Sequence, residues 1–316
     1  MKRILFVMRA RFGDMLMATP ALRAIKQRYP QAELTVVADN KRGTILQGLS
    51  YIDRLVLLPK VFWPLMSWFG IRYFDYGVVC IAAHDKSAQK LGRRWAKVVA
   101  AEDQGYIQAD HIIPPRADGE HLVKDAFRFA RPLQAEPAGW KIEYVPSQEE
   151  TLNAQNWLSE AFGRSDGELI GLQLASFPTK SYRDWPQEHY LQLIEALLAQ
   201  DAGRRIVLLG SDESLSRAEW LLEICPKQVV SAVKRFNFRD NAALIGQLDL
   251  YMGPYRTNAC CRCPRAAYGG GVPPASSGSY FETLGAPCPD DADAAYEHRR
   301  RSTHGGCFRA ECSCCL

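Results

Sequence analysis

The chain has 316 residues, 47% of them hydrophobic, with 39 Lys+Arg against 35 Asp+Glu. That length accommodates two α/β domains with a core each, while the charge is too weakly basic to argue for a nucleic-acid partner. No charge-free apolar stretch reaches the roughly 18 residues of a membrane span, and the amino terminus has no signal-peptide design, so a cytoplasmic protein is expected.

Residues 4–8 form a short apolar run of the kind found in buried parallel strands. A basic turn follows, Arg9-Ala10-Arg11-Phe12-Gly13-Asp14, and then a helical pattern carrying Leu16, Leu22, Ala24 and Ile25, with Lys26 and Arg28 in its last turn. Strand, glycine turn and helix open a doubly wound α/β domain, which binds ligands beyond the carboxyl ends of its strands. Asp14 stands at that position, where it is also a natural cap for the helix. Further strands are predicted over 34–38, 55–58 and 76–81, and helices over about 87–100 and 120–131. Pro-, Glu- and Gly-bearing sequence at 132–139 and 146–150 marks a domain edge, with a linking helix over about 149–162.

A second α/β series starts with a strand over 169–174. A helix runs from Pro186 through Leu198, a strand covers 205–209, a helix about 241–247 and a strand 248–252. The expected domains are 1–150, 151–254 and an anomalous segment, 255–316. Segment 61–72, rich in Trp and Phe, reads either as a helix packed inside the first domain or as an interfacial patch, because Trp and Phe beside Arg and Lys favour the membrane–water boundary. His84, Lys86, Lys90, Arg93 and Arg94 form a charge run that is ordinarily a solvated helix face.

Gly13-Asp14-Met15-Leu16, then Thr19-Pro20-Ala21-Leu22-Arg23-Ala24 and Tyr29-Pro30, resemble the amino terminus of the lipopolysaccharide heptosyltransferases, glycosyltransferase family 9. The resemblance covers residues 1–254. It implies a GT-B fold, two Rossmann-like α/β domains facing a central cleft with acceptor on the first and nucleotide-sugar on the second. It also implies inverting transfer of heptose from ADP-heptose to the lipid A–Kdo core, with no metal or cofactor, by a monomer in peripheral contact with the cytoplasmic face of the inner membrane. Such a reaction needs a base for the acceptor hydroxyl and cationic groups for the leaving diphosphate. The family's aspartate in the Gly-Asp pair, its proposed base, falls on Asp14, with Arg11 and Gly13 beside the acceptor. The family's tight Lys-Arg-Trp-Pro is spread here over Lys180-Ser181-Tyr182-Arg183-Asp184-Trp185-Pro186, so Lys180 and Arg183 share the diphosphate role, with Ser176 in the same loop. Glu213 resembles the acid that holds the nucleotide ribose, and capping of the next helix accounts for it equally well. An acceptor bearing carboxylates and phosphates would suit the His84–Arg94 run.

After Pro254 the composition changes. Residues 255–316 contain no Ile, Lys or Trp, and carry Cys260, Cys261, Cys263, Cys288, Cys307, Cys312, Cys314 and Cys315. Cys260-x-x-Cys263 and Cys312-x-x-Cys315 have zinc-ligand spacing, which gives the alternative of a zinc-stapled sugar- or protein-binding module. A related family-9 transferase with another nucleotide-sugar donor is a further alternative. Arg, Ala, Gly, Pro and Cys in excess are also what GC-rich DNA yields out of frame. Read one base over, the codons for the residues from Tyr255 permit Thr-Gly-Pro-Thr-His-Val-Ala-Ala-Ala-Leu-Gly, the family's donor-site signature, and those from His304 permit Met-Glu-Asp-Val-Ser-Val. A frameshift near Pro254/Tyr255 is therefore expected, which would deprive this chain of its donor-site motif and leave its activity doubtful.

Overall fold

The computed structural model describes residues 2–70, 72–81, 85–116, 119–163, 167–175, 184–253 and 261–262. All of these lie in one compact unit, Met1–Leu284.

The first series runs β1 (Arg3–Arg9), α1 (Phe12–Met17), α2 (Thr19–Arg28), β2 (Glu33–Asp39), β3 (Arg54–Leu58), α3 (Phe62–Trp68), β4 (Phe74–Ile81), α4 (Lys86–Trp95), β5 (Ala96–Glu102), β6 (His111–Ile113) and α5 (Leu122–Ala126). Its six strands are all parallel, in the order β3-β2-β1-β4-β5-β6. Residues 4–8 of β1 are sealed on both faces, which is why the strand reads as one continuous apolar run. Chain direction across the sheet reverses between β1 and β4, the switch point at which doubly wound sheets leave a ligand crevice.

The helix expected over 87–100 ends at Trp95, and the next seven residues form the buried strand β5. Helix α4 packs closely onto β4 before the chain turns into β5. A Cβ on Gly92 would lie 2.5 Å from Val79 Cγ2, and one on Gly77 2.7 Å from Ala96 Cβ. The chain leaves the helix at Ala96, where the backbone is extended, and continues as a strand. The pattern expected as a helix over 120–131 is the short α5 followed by two 3₁₀ turns.

Helix α6 (Gln148–Phe162) leads into the second series, with a reciprocal cap in which Glu150 N–H donates to Ser147 Oγ and Ser147 N–H to Glu150 Oε2. The series continues with β7 (Leu169–Gln173), α7 (Gln187–Gln200), β8 (Arg205–Leu209), α8 (Leu215–Ile224), β9 (Val229–Ser231), α9 (Phe238–Ile245), β10 (Leu250–Met252) and β11 (Cys261–Arg262). The sheet order is β11-β10-β7-β8-β9. Strands β7 to β10 are parallel, and β11 pairs antiparallel with β10.

The carboxyl ends of the two sheets meet. Phe12, just past β1, stacks on Phe238 of α9 with centroids 4.2 Å apart and planes within 4°. Arg239 on α9 is 8% exposed. Its guanidinium donates to Glu150 of α6 at 2.5 and 2.8 Å, to Val145 O at 3.0 Å and to Thr44 O, beyond β2, at 2.6 Å. Four acceptors satisfy a charge that would otherwise be costly to bury.

Candidate active site

The backbone leaves β1 at Arg9 and enters α1 at Phe12, which sets Asp14 in the first turn of that helix. The Arg11 N–H donates to Asp14 Oδ2 at 3.3 Å, so the carboxylate does reach back to its helix start, as a capping residue would. It also lines a cavity of ≈ 80 Å³, room for two or three waters at about 30 Å³ each. The capping contact thus leaves the same side chain facing the cavity.

Arg116, Asp125 and Arg128 share that cavity, and Met17, Cys80, Leu122 and Phe129 supply apolar wall. Arg128 is 9% exposed. It donates to Pro114 O at 2.8 Å, pairs with Glu102, and sets its Nε 3.2 Å from Asp125 Oδ1. Neither atom of that last pair has a hydrogen-bond partner among the described residues, so it is a contact of charges without hydrogen-bond alignment. Arg116 Nε lies 3.9 Å from Asp125 Oδ2, with its side chain half exposed to the cavity mouth. Burial pushes the Asp125 carboxyl above its ordinary value, and the nearby Arg128 and Arg116 only partly oppose it. Burial likewise pushes the Cys80 thiol far up, which makes Cys80 an inert wall.

Arg11 and Gly13 are exposed at the same turn. A Cβ added to Gly13 would meet nothing within 4 Å, so no packing in the protein itself demands glycine there. Arg9 is engaged elsewhere, 2.7 Å from Asp85, the residue that caps α4. The basic run on α4 is dispersed. Lys86 is exposed in the first turn and Lys90 is partly buried. Arg93 pairs with Asp110 at 2.5 Å and donates to Lys97 O at 2.8 Å. Arg94 is exposed at the far end of the helix. None of these four lines the Asp14 cavity. His84 lies outside the described residues.

Across the cleft, β7 and β8 end at Gln173 and Leu209. Gly210 is required by its surroundings, since a Cβ there would lie 2.2 Å from Ser214 Oγ. Glu213 stands exposed in the following 3₁₀ turn, Asp212–Ser214, where the Ser211 hydroxyl donates to it and holds its carboxyl below the ordinary value. Arg217 of α8 donates to Leu174 O at the tip of β7 and lies 4.0 Å from Asp184. Ser176, Lys180 and Arg183 lie outside the described residues.

The sequence profile described as glycosyltransferase family 9 (heptosyltransferase) matches residues 88–254, more than half of the chain. The protein belongs to glycosyltransferase family 9. The match ends at Pro254, the residue after which the composition changes. No curated protein matches the chain. Among solved structures, the fold is similar to that of a family-9 glycosyl transferase from Veillonella parvula, with a TM-score of 0.67 and 16% identity over 80% of this chain and 75% of that one. It is similar to E. coli ADP-heptose lipopolysaccharide heptosyltransferase II, with a TM-score of 0.63 and 17% identity over 81% and 79%. It also resembles E. coli heptosyltransferase WaaC, solved with ADP, with a TM-score of 0.56 and 22% identity over 80% and 81%. These likenesses establish the α/β GT-B architecture of this family-9 chain.

Among the described residues, no group of three or more His, Cys, Asp or Glu side chains could hold a metal, and no helix is long and apolar enough to cross a membrane. Sequence reasoning missed Arg116, Asp125 and Arg128. They reach Asp14 through the connection from β6 into α5, about a hundred residues downstream, and no local motif announces them.

Proposed function

We propose that this family-9 chain derives from an inverting heptosyltransferase that moves heptose from ADP-heptose to the lipid A–Kdo core of lipopolysaccharide at the cytoplasmic face of the inner membrane. The placement of Asp14 carries the proposal. It lines a cavity at the β1/β4 switch point, beside the contact of the two sheets' carboxyl ends. Asp14 acts as base on the acceptor hydroxyl. Arg116 and Arg11 offer their guanidinium groups to the acceptor's carboxylates and phosphates, Lys86 and Lys90 flank its approach, and Gly13 leaves room for it. On the other side Lys180 and Arg183, with Ser176, neutralise the departing diphosphate, and Glu213 takes the ribose hydroxyls. Inversion needs one displacement, with the attacking oxygen and the ADP leaving group on opposite faces of the sugar, and two sheets presenting opposed carboxyl ends suit that geometry.

The sequence after Pro254 supports a second element of this reading, that the frame is lost there and the donor-site signature with it. Transfer is measured as ADP release from ADP-heptose in the presence of Kdo-lipid A, using a chain with the frame restored. Asp14→Asn is expected to lower kcat by about 10²–10⁴ with little change in KM for donor. Unchanged kcat would remove Asp14 from the mechanism. Full transfer from GDP- or UDP-sugars instead would replace the donor assignment.

A further inference from the structure

Helix α3 and the residues that flank it present an apolar face that the fold leaves uncovered. Trp63 turns inward, fully buried, and its indole N–H donates to Leu58 O at 3.0 Å. On the other side Val61 is 76% exposed, Phe62 46%, Leu65 49%, Trp68 75% and Phe69 64%. Positions 61/62, 65 and 68/69 recur every three to four residues, so they fall in one stripe. The stripe is held firmly, because the Trp95 indole N–H of α4 lies 2.8 Å from Phe69 O and 3.2 Å from Met66 O.

Cations flank this stripe in sequence. From residue 54 to 74 the sequence holds Arg54, Lys60 and Arg72 and no Asp or Glu, and residues 86–101, which include α4, hold five cations and no acid. Lys60 and Arg72 are exposed at the two ends of the stripe. Arg54, Arg93 and Lys97 pair with Glu33, Asp110 and Asp75, but aromatic side chains flanked by the exposed Lys60 and Arg72 still suit the headgroup region of an anionic bilayer, where the rings lie at the apolar boundary and the cations meet phosphates. A second copy of the chain suits it less, since a two-fold contact would face the same cations against each other.

We propose that this face of α3 is the lipid-docking surface of the protein, seated on anionic headgroups with Trp68 and Phe69 in the interface. The inference rests on the reading that the acceptor is borne on a lipid, and it names the surface that would meet that lipid's membrane. The inner side of the same helix touches the strand that leads to Asp14, with the Arg9 guanidinium 5.1 Å from the Trp63 ring centre. A chain lying on the membrane through α3 therefore holds its acceptor loop near the surface from which the acceptor projects.

The test is co-sedimentation of the 316-residue chain with vesicles of phosphatidylcholine alone or mixed with phosphatidylglycerol, with no donor or acceptor present. The chain is expected to bind the mixed vesicles, with a blue shift in tryptophan emission, and to leave them as salt is raised. Trp68→Ser with Phe69→Ser should weaken binding by about tenfold or more, with unchanged circular dichroism. Lys60→Gln with Arg72→Gln should remove most of the preference for anionic lipid while leaving the fold intact. Equal binding by the aromatic variant, or no binding by the parent chain, overturns the proposal. So does a dimer that Trp68→Ser with Phe69→Ser dissociates, because a second copy would then cover the stripe. Transfer by the frame-restored chain to a de-acylated, soluble acceptor reports separately on the transferase reading, so failure of one reading is distinguishable from failure of the other.

Discussion

The two sheets of this chain start from the same plan and finish differently. Strands β3-β2-β1-β4 of the first and β9-β8-β7-β10 of the second have the same parallel order. The first sheet continues with β5 and β6, both parallel, whereas the second turns back with a two-residue antiparallel strand at Cys261 and Arg262. Six parallel strands give the first sheet a buried centre and a crevice at its switch point, and the residues gathered there include Asp14 and three charged partners. The second sheet carries the matching strands as far as β10, and the family match ends within two residues of it, at Pro254. Among the described residues, shared topology thus extends to the point at which the sequence ceases to resemble the family.

Restoring the frame is the sharpest way to test that difference, and it carries the largest expected effect. Resequencing the coding DNA across codons 245–316 should show a shifted frame that reads Thr-Gly-Pro-Thr-His after Pro254 and continues without a stop. The restored chain should then exceed the present one in ADP-heptose turnover by at least about 10²-fold, the scale of losing a charge-stabilising contact at a reacting centre. A stop codon within the first shifted triplets would end the frameshift reading and return attention to zinc, measured as bound metal per chain.

Arg239 joins the two halves and offers the next largest effect. Arg239→Ala removes four guanidinium hydrogen bonds at the contact of α9, α6 and the turn after β2, and it leaves the part-buried Glu150 carboxylate without its cation. The Glu150 carboxyl is at present held below its ordinary value by the Arg239 hydrogen bonds, against the opposing effect of burial. Breaking such a pair from one side costs about 3–5 kcal/mol, to be read as a lower midpoint in urea unfolding. A loss below about 1 kcal/mol would show that the halves are held by the Phe12–Phe238 stack and the connecting chain instead.

How far the sequence foretold these elements depended on the kind of signal each carries. Strands β1, β2, β7 and β8 are sealed on both faces and announce themselves as apolar runs. Strand β5 did not, because Ala96-Lys97-Val98-Val99-Ala100-Ala101 continues the helical composition of α4 and a buried strand has no alternation to betray it. Strands β6 and β9, three residues each, are too short to carry a period. Asp14 was legible because strand, turn and helix are contiguous there. Its cavity partners were not, since their charges look like an ordinary solvated face until the fold turns them inward. The run on α4 carries a weaker signal. Lys86 and Arg94 are eight residues apart, about 12 Å along a helix axis, so closeness in sequence spreads the charges along the helix rather than gathering them at one point.

Gly13 separates the demands of the fold from those of a ligand. Open space surrounds the site of its missing Cβ, and Ala is favoured over Gly within a helix by roughly 0.5–1 kcal/mol. Gly13→Ala should therefore leave stability unchanged or slightly raised. In the frame-restored enzyme the same methyl group would stand where the acceptor approaches Asp14, and KM for acceptor should rise by about tenfold, with a smaller change for donor. Unaltered KM would move the acceptor away from this turn.

The smallest effect is expected at Asp125, and its sign follows from burial. The folded-state pKa of Asp125 is raised above the ordinary 3.8, so the folded chain holds a proton there more readily than the unfolded chain does. The contribution of this group to stability is then greatest below the ordinary carboxylate value and is lost as pH rises through the raised folded value. At neutral pH the ionised carboxylate is a net cost that Arg128 and Arg116 only partly offset, and Arg128 retains Glu102 if Asp125 is neutralised. Asp125→Asn should accordingly raise the thermal midpoint slightly at neutral pH, and the gain should shrink as pH falls toward the ordinary carboxylate range. A midpoint lowered at neutral pH would mean that the 3.2 Å contact with Arg128 outweighs desolvation, and that the cavity beside Asp14 is built around that ion pair.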